Sequence, residues 1–266
     1  EGREVMLRAA AKKSDPRVSL VFFLILLLFA VVIYIVVTSL SQPPAELPPE
    51  PEEAEIIPQE EPIPDEEPAE PEPEPIVIPP EYEKFIGTVI MIDPGPGGDQ
   101  FGAEAGGWSE KDIVAPMAEK LRELLIYRGF TVLFTHEEDE NVFNEIPEII
   151  ASSDAALFVS LHANTFTDES VSGFQVFYDA ESNPSRKLAS IITEEVKMAG
   201  FKTRTYRDEK YYVLSSNEIP SVLVETGFMT NEADLRNLTD EGYRENLMTA
   251  LAAGILRYTE ENILEG

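Results

Sequence analysis

The chain contains two histidines, His136 and His162, and no cysteine. Each histidine directly follows an apolar run, 131–135 and 155–161, of the kind that forms a strand. Two carboxylates repeat the pattern: Asp93 ends the run from Thr88, and Glu225 ends the run from Ser221. A third, Glu110, opens a helical stripe after a Gly-rich loop. In open α/β sheets ligands bind beyond the carboxyl ends of the strands, so these residues converge on one edge. A single His at a strand end is ordinarily a satisfied polar residue. Two of two, with two carboxylates at equivalent ends, point to a site. His and Glu without Cys form the donor set of a catalytic rather than a structural zinc. A separate Glu then serves as general base on metal-bound water.

The elements that must position these residues read as an α/β domain. TVIMID (88–93) is a buried strand running into Pro-Gly-Pro-Gly-Gly. Residues 110–128 carry apolar side chains at 113, 114, 117, 121, 124 and 125, a helical stripe closed by Gly129. Pro116 within it marks either a kink or the true first turn. Strands follow at 131–135, 155–161, 173–178, 211–214 and 221–225, with 173–178 nearer an edge. Helices are expected at 143–152, 184–199 and 243–258. Buried strands alternating with helices imply a mostly parallel sheet with helices on both faces.

Ahead of this domain the composition changes twice. Leu20–Val37 is an uninterrupted apolar run, long enough with its flanks to cross a bilayer. Arg3, Arg8, Lys12, Lys13 and Arg17 precede it, and no Lys or Arg follows until Lys84. The positive-inside rule puts the N-terminus in the cytoplasm and the rest outside. The run is longer than the apolar core of a signal peptide, and no small-residue cleavage site follows it. Residues 43–80 hold 14 Pro and 13 Asp or Glu with no Lys, Arg or aromatic residue, a disordered, extended stalk. The expected organisation is a cytoplasmic tail (1–18), a transmembrane helix (19–40), a Pro/Glu-rich extracytoplasmic stalk (41–84) and a folded domain (85–260). That is a single-pass protein of the cell membrane. A net charge of -30 excludes a nucleic-acid-binding surface. The absence of Cys excludes disulfides, thiolate metal sites and a Cys nucleophile.

Four blocks in order now carry a resemblance: Asp93-Pro94-Gly95-Pro96-Gly97-Gly98, Ser109-Glu110-Lys111-Asp112, Ser160-Leu161-His162-Ala163-Asn164 and Glu225-Thr226-Gly227-Phe228-Met229-Thr230-Asn231. Together they resemble the zinc-dependent N-acetylmuramoyl-L-alanine amidases of the amidase-3 family, bacterial cell-wall hydrolases. The resemblance implies peptidoglycan as partner and substrate, and hydrolysis of its lactyl amide. It implies zinc held by a His of the first loop, by Glu110 and by His162, with Glu225 as the catalytic carboxylate and Asn164 binding substrate. An activating protein partner is left open.

This chain departs from that pattern. Position 96, where the family has its first zinc ligand, is Pro, whose side chain offers no donor. His136, Glu148 and Ser152 stand where the family often has Arg, Arg and Asn. Zinc binding is therefore expected to be weakened or absent. Three readings follow: a zinc amidase whose site is completed by another group, a non-catalytic module that binds peptidoglycan or a partner, and a site in which His136 supplies the third ligand. The plainer role for His136 is a solvated residue at the rim, facing Glu137 or Glu138.

Overall fold

The computed structural model describes residues 76–97, 101–136, 142, 144–215 and 217–265. The tail, the apolar span and most of the stalk lie outside the described residues. Among the described residues no helix is long and apolar enough to cross a membrane. The end of the expected stalk is folded: Pro80–Phe85 forms a 3-10 helix whose Phe85 is fully buried, its ring 4.8 Å from that of Phe130.

The sheet is built from β1 (Val89–Pro94), β4 (Thr131–Phe134), β5 (Ala155–Asn164), β6 (Gln175–Tyr178), β7 (Arg207–Asp208) and β8 (Ser221–Phe228). Its spatial order is β4-β1-β5-β8-β6-β7. The first four strands are mutually parallel, β6 runs antiparallel to β8, and β7 runs parallel to β6. The expectation of a mostly parallel sheet holds. A two-stranded hairpin, β2 (Glu104–Ala105) and β3 (Trp108–Ser109), lies apart from this sheet.

Alternation along each strand divides the core in two. Ile90, Ile92, Leu157, Val159, Leu161, Val222 and Val224 face the larger cluster, with α1 (Glu110–Tyr127), α3 (Asn183–Met198) and α5 (Glu241–Thr259). Met91, Phe158, Phe177 and Leu223 face the other side. That side is covered by α2 (Ile146–Ala151) and a 3-10 turn at Tyr212–Leu214. The helices on the two faces are thus unequal. The stretch 211–214, expected as a strand, is this turn. Tyr211 packs edge-on against Phe177 at 5.3 Å, and Val213 and Leu214 bury over the sheet face; packing overrides their strand propensity. The thin cover leaves the carboxyl edge of that face open.

One short helix completes the fold at this edge. α4 (Glu232–Leu238) is capped by Asn231, whose side chain accepts from the Ala233 and Asp234 N–H groups. Its buried Asp234 accepts from the Gly173 N–H at 2.7 Å and the Phe228 N–H at 2.9 Å. One carboxylate thereby ties the segment entering β6 to the end of β8.

Candidate active site

Period-two alternation places Asp93, Ser160, His162, Glu225 and Gln175 on the same face as Met91, Phe158, Leu223 and Phe177. The register puts Asp93 beside Ser160, and Glu225 between His162 and Gln175. Polar side chains therefore form a row along the carboxyl edge of the thinly covered face, above an apolar layer.

Glu110 reaches this row from the first turn of α1. Ser109 caps the helix by a reciprocal box: its Oγ accepts from the Asp112 N–H, and Asp112 Oδ2 accepts from the Ser109 N–H at 3.0 Å. The helix runs through Pro116 unbroken, so Pro116 does not mark its start. This cap fixes where Glu110 begins. Glu110 Oε1 accepts from His162 Nδ1 at 2.9 Å and from the Ala163 N–H at 3.1 Å; Oε2 accepts from the Ala103 N–H at 3.2 Å. Burial raises the proton affinity of Glu110, but these donors and the His162 charge outweigh it and hold its pKa down.

His162 and Glu225 show the complementary perturbations. Burial works against the His162 cation, yet the bond to Glu110 and the charges of Glu225, Glu110 and Asp93 raise its pKa to about 9. Burial raises Glu225 to about 7; the His162 charge opposes this and Glu110 adds to it. Glu225 Oε2 is buried with no hydrogen-bond partner among the described residues. A buried carboxylate oxygen without a donor is costly, and such atoms mark groups held ready for a ligand or proton.

These groups line a cavity of about 230 Å³. Asp93, His136, His162 and Glu225 line it together with the 95–97 loop; Val142, Ile146, Tyr211, Val213 and Leu223 supply apolar lining. The loop is pressed against the histidine: a Cβ on Gly95 would collide with Cε1 and Nε2 of the His162 ring. Pro96 Cγ and the Glu110 carboxylate both close on Gly102, where a side chain would meet both.

His136 is not at the solvated rim. Its side chain is 5 % exposed, lines the cavity, and carries Nε2 3.8 Å from Asp93 Oδ1. Asp93 is in turn fixed by the Thr135 hydroxyl at 2.7 Å and the Ser160 hydroxyl at 2.6 Å. The ring thus lies inside the cavity on the Asp93 side, a position the acidic run after His136 concealed.

Glu110 and His162 supply two of the three protein donors a catalytic zinc takes. Among the described residues no group of three His, Cys, Asp or Glu is arranged to hold a metal ion. The donor set present does not fit a zinc held by three protein side chains.

Residues 90–257 match the family model described as N-acetylmuramoyl-L-alanine amidase, Amidase_3. The chain belongs to this family. The uncharacterized protein YqiI of Bacillus subtilis is 32 % identical over 185 residues, covering 67 % of this chain and 88 % of that protein. The germination-specific N-acetylmuramoyl-L-alanine amidase of the same organism is 28 % identical over 192 residues, covering 66 % and 81 %. Among solved structures, the CwlD amidase from Clostridioides difficile, in complex with the GerS lipoprotein, aligns with a TM-score of 0.63 and 34 % identity. That alignment covers 66 % of this chain and all of the CwlD chain. AmiC2 of Nostoc punctiforme aligns with a TM-score of 0.61 and 32 % identity, over 65 % of this chain and 97 % of AmiC2.

Within this amidase fold, Glu110, His162 and Glu225 come together, and His136 joins the same cavity. Asn164 closes β5 at the same edge, where its carbonyl accepts from the Met229 N–H at 2.7 Å; it does not line the cavity. Sequence reasoning missed the apolar lining and the Thr135 and Ser160 hydroxyls. The lining comes from 142, 146 and 211–213, distant in the chain and without a motif. Ser160 was legible in principle, two residues before His162 on the same face.

Proposed function

We propose that this chain is a cell-wall N-acetylmuramoyl-L-alanine amidase, hydrolysing the lactyl amide of peptidoglycan. The observation that carries this is Glu225: a buried carboxylate with an unpartnered oxygen and a pKa near 7, beside a cationic histidine. Such a group takes a proton from the attacking water and returns it to the leaving amine at neutral pH. His162, held by Glu110, places positive charge where the carbonyl oxygen becomes negative. The apolar lining excludes water from the back of the cavity.

Zinc is the cofactor the resemblance implies. Glu110 and His162 are the donors this chain offers, and Pro96 offers none at the position of the family's first ligand. His136 is the other imidazole that lines the cavity. The domain would sit outside the membrane on the 41–84 stalk, anchored by residues 19–40, in a bacterial cell membrane. The presence of a lipoprotein in the CwlD structure is consistent with a protein partner for this chain too.

The test is incubation of purified sacculi with the full chain, with and without added zinc, followed by quantification of newly exposed N-terminal alanine. Release is expected, and Glu225→Gln should lower it by about 10²–10⁴-fold. Retention of sacculi in a pulldown, with no alanine exposed under either condition, would replace the amidase with a binding module.

A further inference from the structure

Arg204 is one of several cations that meet no carboxylate among the described residues, and it is set apart by its mount beside the row of polar side chains. Its Nε donates to Gln175 Oε1 at 3.0 Å, and its guanidinium lies 5.4 Å from the centre of the Phe228 ring. Among the described residues no carboxylate pairs with it, whereas Arg207, three residues on, pairs with Glu209 at 2.6 Å. The other N–H groups of its fork have no hydrogen-bond partner among the described residues. The side chain is half-buried.

Its mount is rigid. Gln175 is itself buried; its amide nitrogen donates to the Thr205 carbonyl at 3.1 Å while its oxygen holds Arg204. The Arg204 N–H donates to the Phe174 carbonyl at 2.7 Å. Phe228 beneath it is buried, and Asp234 fixes the backbone at both Phe228 and Gly173. An exposed arginine would lose side-chain entropy in any ordered contact; here that loss is already met in the free protein.

Its place matters as much. Gln175 is the register partner of Glu225 across an antiparallel pair, so their Cα atoms are about 4.5–5.5 Å apart. Arg204 extends from Gln175 on the side of the row opposite His162. Through Gln175 the guanidinium is placed next to the row that holds Glu225, while neither Arg204 nor Gln175 lines the cavity itself. One or two residues of extended peptide span about 3.5–7 Å, the interval between a scissile amide nitrogen and a carboxylate further along a stem peptide.

We propose that Arg204, oriented by Gln175 and Phe228, binds a carboxylate of the peptide on the leaving side of the scissile amide and so sets substrate specificity. This rests on the amidase reading. A planar fork with its Nε engaged still offers donors for two parallel bonds to a carboxylate, a geometry that a carboxamide cannot match with two acceptors. Arg204 is a specificity residue, not an acid or base.

The experiment uses the full chain in detergent, carrying Glu225→Gln so that binding is read without turnover. The probes are an N-acetylmuramoyl dipeptide ending in a free carboxylate and the same compound ending in a carboxamide. The free acid should bind about tenfold tighter. Adding Arg204→Gln should erase that preference while leaving carboxamide affinity unchanged. Arg204→Lys, which keeps the charge and loses the fork, should retain only part of it, and serves if the Gln variant fails to fold. Equal binding of both probes, binding of neither, or a preference that survives loss of Arg204 overturns the proposal. Hydrolysis by the wild-type chain is measured separately. A preserved preference without hydrolysis would sink the amidase reading and leave the anchor standing.

Discussion

His162 and Glu225 lie side by side on neighbouring parallel strands, and both are held toward the protonated form for different reasons: burial raises Glu225, and the bond to Glu110 with the surrounding carboxylates raises His162. The pair is not a simple ion pair. His162 Nδ1 is committed to Glu110, which leaves one Glu225 oxygen unpartnered. His162, bonded to Glu110, thus shares with Glu225 a cavity whose apolar lining amplifies each charge. The arrangement weakens the fold locally and prepares the site for a ligand.

That strain predicts a stability gain on loss of activity. The Glu225 carboxyl moves from 4.5 when unfolded to about 7 when folded, so the native state binds the proton more tightly. Its contribution to stability is then lost as pH rises from about 4.5 through 7. Glu225→Gln removes this penalty. Chemical denaturation with chelator present should show no difference below pH 4.5. Above pH 7 the variant should gain on the order of 3 kcal/mol. A variant equally or less stable at pH 8 would mean that the carboxylate is comfortably ionised in the native state.

Gly95 predicts a separation of folding from function. Its φ is ordinary, so Ala is acceptable to the backbone; the obstacle is the His162 ring. Gly95→Ala must push that ring away from Glu110 or move the loop. Turnover of peptidoglycan should fall at least about tenfold, because displacement near 1 Å suffices for losses larger than that. The midpoint of thermal unfolding should drop by only a few degrees, about 1 kcal/mol for a domain of this size. Unchanged turnover would show that the loop and ring are free to separate.

The sequence carried the site further than it carried the cover of the sheet. Asp93, His162 and Glu225 announced themselves because strand ends and motif blocks coincide at those residues. The reading of 211–214 as a strand failed because Tyr-Tyr-Val-Leu has the local preference of one. Only the tertiary partner Phe177 decides otherwise. The hairpin at 104–109 was hidden in a Gly-rich stretch with two residues per strand, too short for any period to register. His136 was misplaced for a different reason: the buried residue beside which its ring lies, Asp93, is 43 positions earlier, and separation in sequence hides such neighbours.

The orientation inferred from the N-terminal segment predicts a simple cleavage experiment. Protease added to intact spheroplasts should release the folded domain by cutting within 41–84, a stretch with little apolar surface to bury. The folded 3-10 helix from Pro80 should survive, so the released fragment should begin before Tyr82. A domain protected until the membrane is opened would reverse the topology.

The last prediction concerns metal. Pro96 packs against the side of Gly102 that also meets the Glu110 carboxylate, and it lines the same cavity as His162 and Glu225. Gly95 abuts the His162 ring and Pro96 shares the Gly102 neighbourhood with Glu110, so an imidazole at position 96 would be a third donor beside the two already present. Glu110 and His162 now bond each other directly, and a cation bound by both would have to replace that bond. Two donors and a competing internal hydrogen bond give weak zinc binding; a third donor restores the set that holds a catalytic ion at about 2.0–2.1 Å. Pro96→His should therefore raise zinc affinity at least about tenfold, measured by competition with a chelator of known strength. His136→Ala should leave zinc affinity of the wild type unchanged, because among the described residues its ring forms no metal-holding group of three with Glu110 and His162. If His136→Ala instead abolishes zinc binding, the imidazole has swung away from Asp93, and position 136 is this chain's replacement for the ligand lost at 96.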